Sequence, residues 1–178
     1  MTNSFTEFDT ALRDGRTVHI RLINPADEAE LLQAFDRMSD DARYMRFMRA
    51  VREVNLERLR NALASLPESG IGIVATVPAA DGIDIVGSAV CFLGDDRTTC
   101  EFAVHVGSTF GGAGLARTLM TTLIELAKQR GLAAMEGFVL AANQPMLRLA
   151  RRLGFTIEVD PDDPAVRICR LPLVGGGT

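Results

Sequence analysis

The sequence predicts an α/β domain with a mixed, mostly antiparallel central sheet of about seven strands, a parallel central pair and flanking helices. Two observations carry this prediction. Three β-rich runs joined by short turn-rich loops fill residues 70–106, which is typical of an antiparallel meander. A long amphipathic helix and a further strand follow, and a strand–helix–strand order implies a right-handed parallel crossover.

The N-terminal elements begin with a strand and continue with helices. The alternating, β-rich "TVHIRLI" predicts a first strand over residues 16–24. Asn24, Pro25 and Asp27 then provide an N-cap, a first-turn proline and a first-turn acid for a helix. Ser39 is the predicted cap of a second helix through "DDARYMRFMRA", and "NLERLRNALASL" predicts a third.

The later elements follow from periodicity and turn residues. The meander consists of "IGIVATV", "IDIVGSAVCFLG" and "TCEFAVHV". Leu115, Leu119, Leu123 and Leu126 recur at helical spacing until Gly131 ends that helix. The segment "AAMEGFVL" predicts the next strand, "NQPMLRLARRLG" a helix, and "FTIEV" and "AVRICRLPL" the last two strands.

Length and composition indicate one globular domain. The 178 residues are 47% apolar and 24% charged, which is enough apolar material for a sizeable core. We expect a single domain over residues 1–178, with mobile tails at residues 1–12 and 174–178.

Charge and hydropathy exclude several classes of protein. A net charge of −4 without a basic stripe argues against nucleic-acid binding. An apolar run of about 18 residues, as a membrane span requires, is absent, and no signal peptide is recognisable, so we expect a cytoplasmic protein. Cys91, Cys100 and Cys169 have neither metal-ligand nor disulfide-framework spacing, and we interpret them as small core residues.

The stretch "FGGAGLARTLM" places three glycines at the start of a helix. A helix start has unpaired N–H groups and a partial positive charge, and glycines let a ligand oxygen reach the backbone. A Walker loop would continue with Lys and Ser or Thr, whereas Leu115 follows Gly114. A dinucleotide fingerprint would need a glycine in place of Arg117. A phosphate cradle is the functional interpretation, and a simple strand-to-helix turn is the structural one.

The order of elements and two motifs resemble the GNAT acyltransferase superfamily. The loop motif of that family is Gln/Arg-x-x-Gly-x-Gly/Ala; Gly114 and Ala116 match it, whereas Gly111 replaces its leading side chain. Asn143 and the later "GF" meet the second signature of the family. The resemblance covers nearly the whole chain and implies the GNAT fold.

The resemblance also implies acetyl-CoA as the co-substrate, with no metal. It implies an oxyanion donor among the backbone N–H groups of residues 104–106, freed where the two central strands separate. The residues expected to contact the coenzyme are Val104, His105, Val106, Gly111, Gly112, Ala113, Gly114, Leu115, Ala116, Arg117 and Asn143.

A closer resemblance is to the catalytic domain of the Pat-type bacterial protein lysine acetyltransferases. It is carried by "LRDGRTVHIR", "DDARYMRFM", "CEFAVHV" and "NQPMLRLARRLGF". In that group the domain is usually fused to a regulatory or acyl-CoA-synthetase-like domain, and we expect none here because the pattern occupies the chain. This difference weakens the inference of the same protein substrate.

Glu101 is the candidate general base. In "TCEFAVHV" it alternates with apolar residues and shares the opposite strand face with Ala103 and His105. The resemblance to lysine acetyltransferases places their base at Glu101, and a solvated strand glutamate is the alternative. His105 lies about 13 Å away at ~3.3 Å per residue, too far to form a dyad with Glu101. Glu136, on the following strand, is the reserve candidate.

The acceptor side of the cleft is expected in the segment after the first helix. Its candidate contacts are Arg43, Tyr44, Arg46 and Phe47, although an amphipathic helix explains the same residues. Ala150 occupies the position where related enzymes carry a tyrosine that protonates the departing thiolate. Thiolate departure would then depend on water or another group.

These features predict an acetyl-CoA-dependent N-acetyltransferase with direct transfer to an amine, most simply a protein lysine. Two alternatives stay open: a small-molecule amine as acceptor, and a non-catalytic acyl-CoA sensor, which Gly111 and Ala150 favour. The expected partners are acetyl-CoA and the acceptor, without nucleic acid or membrane, and a homodimer is left open.

Overall fold

The structure is a computed structural model of the chain, and it describes residues 5–37 and 56–174. Eight strands form one sheet within these residues. The strands are β1 (Phe8–Ala11), β2 (Thr17–Leu22), β3 (Gly70–Ala79), β4 (Gly82–Leu93), β5 (Thr99–Val106), β6 (Ala134–Leu140), β7 (Thr156–Asp160) and β8 (Asp163–Pro172). The helices are α1 (Glu28–Asp36), α2 (Leu56–Ser65), α3 (Leu115–Gln129) and α4 (Gln144–Arg152).

The strand order across the sheet is β1-β2-β3-β4-β5-β6-β8-β7. Every neighbouring pair is antiparallel except β5 and β6, which are parallel and connected through α3. The mixed sheet with a parallel central pair and flanking helices confirms the predicted α/β class. β8 lies between β6 and β7 because the last two strands form a hairpin that joins the sheet by its second strand.

The N-terminal segment is ordered, in contrast to the expectation from the sequence. Residues 8–11, expected to belong to a mobile N-terminal tail, form β1 instead, and Leu12 is buried in the core. Strand pairing with β2 orders this segment, because Asp9 lies opposite His19 and accepts a hydrogen bond of 2.7 Å from its ring. The predicted helix after Ser39 and the tail beyond residue 174 lie outside the described residues.

The start of α1 is fixed by the residues that the sequence singled out. Asn24 and Asp27 form a capping box, with Pro25 in the first turn. Asp27 is buried, and its carboxylate receives two hydrogen bonds, of 2.7 and 2.9 Å, from the Arg21 guanidinium of β2. This paired charge ties α1 to the sheet.

Helices cover both faces of the sheet. The apolar face of α3, formed by Leu115, Leu119, Met120 and Leu123, is buried against β3, β4 and β5. α1 packs against β4, and its Ala34 lines a cavity with His105, whose side chain alternates to the face opposite α3. The sheet is therefore sandwiched between α3 on one face and α1 on the other.

The three cysteines belong to the core, as expected, and all are free thiols. Cys91 and Cys100 lie on adjacent strands, each at most 1% exposed. The hydrogen bond with Cys100 and burial both raise the pKa of Cys91, so this thiol stays neutral. They act as small core side chains rather than as reactive groups.

The two central strands separate after only three paired positions. β5 and β6 pair at Thr99–Ala134, Cys100–Met135 and Glu101–Glu136 and no further, although both strands continue. Beyond this point β5 stays paired with β4 as far as Val106, and β6 with β8 as far as Leu140. A wedge-shaped gap therefore opens in the middle of the sheet.

An aromatic ring lies at the narrow end of this gap. The Phe102 ring covers Gly137, the next residue of β6, and makes an edge-on contact with Phe155 at a centroid distance of 5.3 Å. A Cβ at position 137 would lie less than 3.0 Å from three atoms of that ring. Glycine is required here because the ring occupies the space of a side chain.

Gly137→Ala is expected to lower the free energy of unfolding by about 1–3 kcal/mol, because the Phe102 ring must move within a packed core. Urea unfolding measures this loss. Gly111→Ala is the control, since a Cβ there meets only the Ser108 carbonyl oxygen at 3.7 Å, and its effect should stay within about 0.5 kcal/mol. Phe102→Leu combined with Gly137→Ala should recover part of the loss; unchanged stability of Gly137→Ala would contradict the packing.

Candidate active site

The gap between β5 and β6 exposes main-chain groups of β5. The N–H of Gly107 donates to the Val86 carbonyl oxygen at 2.8 Å, so residue 107 and every second residue before it direct their main-chain groups toward β4. The groups of Val104 and Val106 therefore face the gap, where β6 no longer pairs with β5. Main-chain donors and acceptors at these two positions are available to a ligand that enters the wedge.

The glycine loop lies between β5 and α3. Gly112 and Gly114 have φ values of +75° and +89°, in the left-handed region that favours glycine, whereas Gly111 is extended at −64°. A Cβ at Gly112 would meet no heavy atom within 4 Å, so this part of the loop faces open space. Backbone conformation therefore favours glycine at two of the three positions, in addition to the access that glycines give a ligand to the main chain.

The N-terminus of α3 has N–H groups available for an anion. Gly114 is the N-cap and provides no side-chain hydrogen bond to the helix start. The Thr118 N–H donates to the Gly114 carbonyl oxygen at 3.1 Å, which leaves the N–H groups of Leu115, Ala116 and Arg117 in the unpaired first turn. These groups and the helix dipole favour a phosphate at this position.

The turn between β1 and β2 holds the glycine loop in place. The Arg13 backbone N–H donates to the Ala113 carbonyl oxygen at 3.1 Å. The Arg16 guanidinium donates to the Thr109 carbonyl oxygen at 2.7 Å and lies 3.9 Å from the centroid of the Phe110 ring. Contacts from a segment almost one hundred positions earlier in the chain therefore fix the loop.

Glu101 lies at the last paired position before the gap. It is exposed and has Phe92 beside it on β4 and Glu136 beside it on β6. Cross-strand neighbours point to the same face, so the two carboxylates lie side by side on the face covered by α1. Arg170 on β8 lies opposite Glu136, with its Nη1 atom 3.9 Å from that carboxylate, and partly neutralises it.

The three residues of β5 that were predicted to contact the coenzyme do not all face the gap. Val104 and Val106 direct their main-chain groups into the gap, but His105 directs its own toward β4. The half-buried His105 side chain instead lines an open cavity of about 150 Å³ on the α1 side, together with Arg37 and Thr109. His105 is therefore better placed to line a cavity than to contact a ligand within the gap.

Asn143 and Ala150 belong to α4. The Asn143 side-chain oxygen caps this helix by accepting the Met146 N–H at 3.4 Å, which leaves its side-chain NH₂ as a donor. Ala150 is completely buried, so no polar side chain reaches the gap from that position. The predicted acceptor contacts Arg43, Tyr44, Arg46 and Phe47 lie outside the described residues.

Within residues 5–37 and 56–174 the structure contains neither a membrane-spanning helix nor a metal-binding cluster. No helix in them is both long and apolar enough to cross a membrane. No group of three or more His, Cys, Asp or Glu side chains in them is placed to hold a metal ion.

Fold and site together define the chain as an α/β protein with a ligand gap between two parallel strands beside an anion-binding helix start. Residues 32–155 match the model of the acetyltransferase (GNAT) family. The chain belongs to that family and is an acetyl-CoA-dependent N-acetyltransferase.

One relative in sequence shares the family, and two solved structures share the fold. An acetyltransferase of Pseudomonas aeruginosa is 31% identical over 163 residues, which cover 92% of this chain and 88% of the relative. The GNAT domain of Streptomyces lividans PAT has a TM-score of 0.83 at 22% identity, with 93% and 96% of the two chains covered. The acetyltransferase yncA of Salmonella typhimurium, whose structure contains its cofactor acetyl-CoA, has a TM-score of 0.68 at 21% identity, covering 90% and 96%.

Sequence reasoning missed the contribution of the β1–β2 turn. Arg13 lies between the expected tail (residues 1–12) and the predicted strand (residues 16–24), and Arg16 begins that strand. No local pattern connects either residue to residues 109–114. Only three-dimensional proximity identifies these side chains.

Acetyl-CoA at about a hundredfold above its Kd should stabilise the protein by ~2.7 kcal/mol, a rise in melting temperature of roughly 5–11 °C. Gly114→Glu should abolish this rise, because a carboxylate at the helix start repels phosphate. Gly131→Glu is the matched control: it introduces the same charge at a glycine of similar φ, +82°, at the opposite end of α3. A ligand-induced rise that survives in Gly114→Glu would contradict the phosphate site.

Proposed function

We propose that this enzyme acetylates protein lysines by direct attack of the amine on the thioester, with Glu101 as the general base. The observation that carries the proposal is the position of Glu101 where β5 and β6 separate, on the face opposite α3. A thioester in the gap and an amine arriving from the α1 side would meet beside this carboxylate. The choice of a protein acceptor is supported by the resemblance of "LRDGRTVHIR" and "CEFAVHV" to the Pat-type protein lysine acetyltransferases.

The chemistry requires a base because a lysine amine is protonated at neutral pH. Its pKa of about 10.4 makes removal of the proton at pH 7 cost roughly 4–5 kcal/mol, at 1.36 kcal/mol per pKa unit. Glu101 takes this proton, directly or through water, as the nitrogen attacks the thioester carbonyl carbon. The exposure of Glu101 gives the proton a route to solvent.

The tetrahedral intermediate needs a donor for its oxyanion. The N–H groups of Val104 and Val106 face the gap and are candidates at fixed positions, since β4 holds β5 in place. As the intermediate collapses, the C–S bond breaks and the thiolate leaves. Water protonates the thiolate, because Ala150 provides no acid, and a thiol pKa near 8.5 makes the thiolate an adequate leaving group.

Charge on the acceptor side favours a cationic amine. Glu101 and Glu136 lie side by side where β5 and β6 separate. A protonated amine complements these carboxylates before it loses its proton.

A small-molecule amine is the second candidate acceptor. The open cavity beside His105 favours it, because the cavity offers both apolar walls and the polar groups of Arg37 and Thr109. Initial rates with lysine-rich proteins, lysine peptides and polyamines compare the two acceptors. A kcat/KM at least about tenfold higher for lysine in a protein or peptide supports the proposal, and the reverse order assigns the enzyme to small amines.

Glu101→Gln should lower kcat by about 10²–10⁴ and leave the Kd of acetyl-CoA unchanged, because the amide cannot accept the proton. The residual rate should rise with pH, since only amine that is already deprotonated then reacts. Thiol release and isothermal titration measure the two quantities.

Glu136→Gln is the matched control, because Glu136 is the neighbouring carboxylate and is already paired with Arg170. It should retain kcat within about tenfold of the wild type. An equal loss in both variants, or full activity in Glu101→Gln, would remove Glu101 as the base.

A further inference from the structure

We propose that Arg13 binds the pyrophosphate of acetyl-CoA, and that a side chain of the β1–β2 turn thereby completes the site formed by the glycine loop. This inference rests on the proposed coenzyme site at the start of α3. It assigns a binding role to a residue that lies about one hundred positions before that helix in the sequence.

The backbone of Arg13 is anchored to the glycine loop, and its side chain lies over Gly114. Its backbone N–H donates to the Ala113 carbonyl oxygen at 3.1 Å, which anchors the residue to the loop. Its Nε atom lies 3.3 Å, and its Cζ and Nη2 atoms 3.7 Å, from the point that a Cβ of Gly114 would occupy. The guanidinium therefore lies beside the N-cap of α3, next to the N–H groups of the unpaired first turn.

The two arginines of the turn differ in what they already contact. The Arg16 guanidinium is paired with Asp14, donates to the Thr109 carbonyl oxygen and covers the Phe110 ring, so its role is to hold the loop. The Arg13 guanidinium forms no hydrogen bond or ion pair within the described part of the chain, and the residue is exposed. A cation held at this position without a protein partner is available to an anion.

The loop itself supplies no positive side chain for that anion. From Gly107 to Ala116 the sequence is "GSTFGGAGLA", without Lys, Arg or His. Apart from Arg117, which follows in the first turn of α3, a pyrophosphate at the loop would meet backbone N–H groups in a protein whose net charge is −4. A guanidinium offers several donors in one plane and can bind phosphate oxygens in pairs, which complements the single donors of the helix start.

Isothermal titration of the whole chain with CoA tests the proposal. Arg13→Gln should weaken CoA binding about three- to tenfold, the range for one charge-assisted contact at an exposed site. Arg13→Lys should retain part of the affinity for CoA. Arg13→Gln should lose as much affinity for dephospho-CoA as for CoA, because dephospho-CoA keeps the pyrophosphate. The loss should shrink at high salt, since salt screens exposed charges.

Arg152→Gln is the matched control, because it removes an equally exposed arginine from the last turn of α4. It should bind CoA as the wild type does. The melting temperature without ligand should be the same in Arg13→Gln and the wild type, which separates a ligand contact from a structural role. A lower melting temperature of Arg13→Gln, together with wild-type affinity for CoA, would make Arg13 a structural residue.

Other outcomes overturn the proposal in distinguishable ways. Equal affinity in Arg13→Gln and Arg152→Gln, with normal binding by the wild type, would reject Arg13 and leave the coenzyme site intact. A loss confined to CoA, and absent with dephospho-CoA, would reject the pyrophosphate as the group bound. Absence of CoA binding by the wild type would instead reject the coenzyme site itself.

Discussion

The separation of β5 and β6 after the Glu101–Glu136 pair is the constraint on which the rest of the site depends. The separation is stable because β5 stays paired with β4 and β6 stays paired with β8. Only the edges at which β5 and β6 face each other lose their pairing. Phe102 fills the narrow end of the gap over Gly137. The sheet thus keeps its core while main-chain groups that would pair in a regular sheet face a ligand space.

The remaining parts of the site are arranged around this gap. β5 leads directly into the glycine loop, so a ligand with a thioester in the gap can extend its phosphates toward the start of α3. The β1–β2 turn contacts the glycine loop through Arg13 and Arg16, which connects the edge of the sheet to the proposed coenzyme site. Glu101, the proposed base, lies on the face opposite α3, so the proposed mechanism has the coenzyme and the acceptor approach from different sides.

Much of the fold could be predicted because it follows from local signals. The capping box at Asn24 and Asp27, the glycines at the start of α3 and the alternation along β5 each report a physical requirement within a few residues. β1 was missed because pairing with β2, rather than any pattern of its own, orders that segment. The sequence grouped His105 with Val104 and Val106 as coenzyme contacts. Only the pairing of β5 with β4 shows that the main-chain groups of His105 point toward β4, whereas those of the two valines point into the gap.

The sequence by itself determined the α/β class, the glycine-rich helix start and the presence of a carboxylate on the strand that leads to that helix. Hydrophobic periodicity, helix capping and the conformational freedom of glycine are local properties, so a short stretch of sequence is enough to show them. Tertiary structure alone decided where β5 and β6 separate, that Glu136 lies beside Glu101, and that Arg13 reaches Gly114. These relations join residues far apart in the chain. They depend on strand register and packing, which no short stretch of sequence encodes.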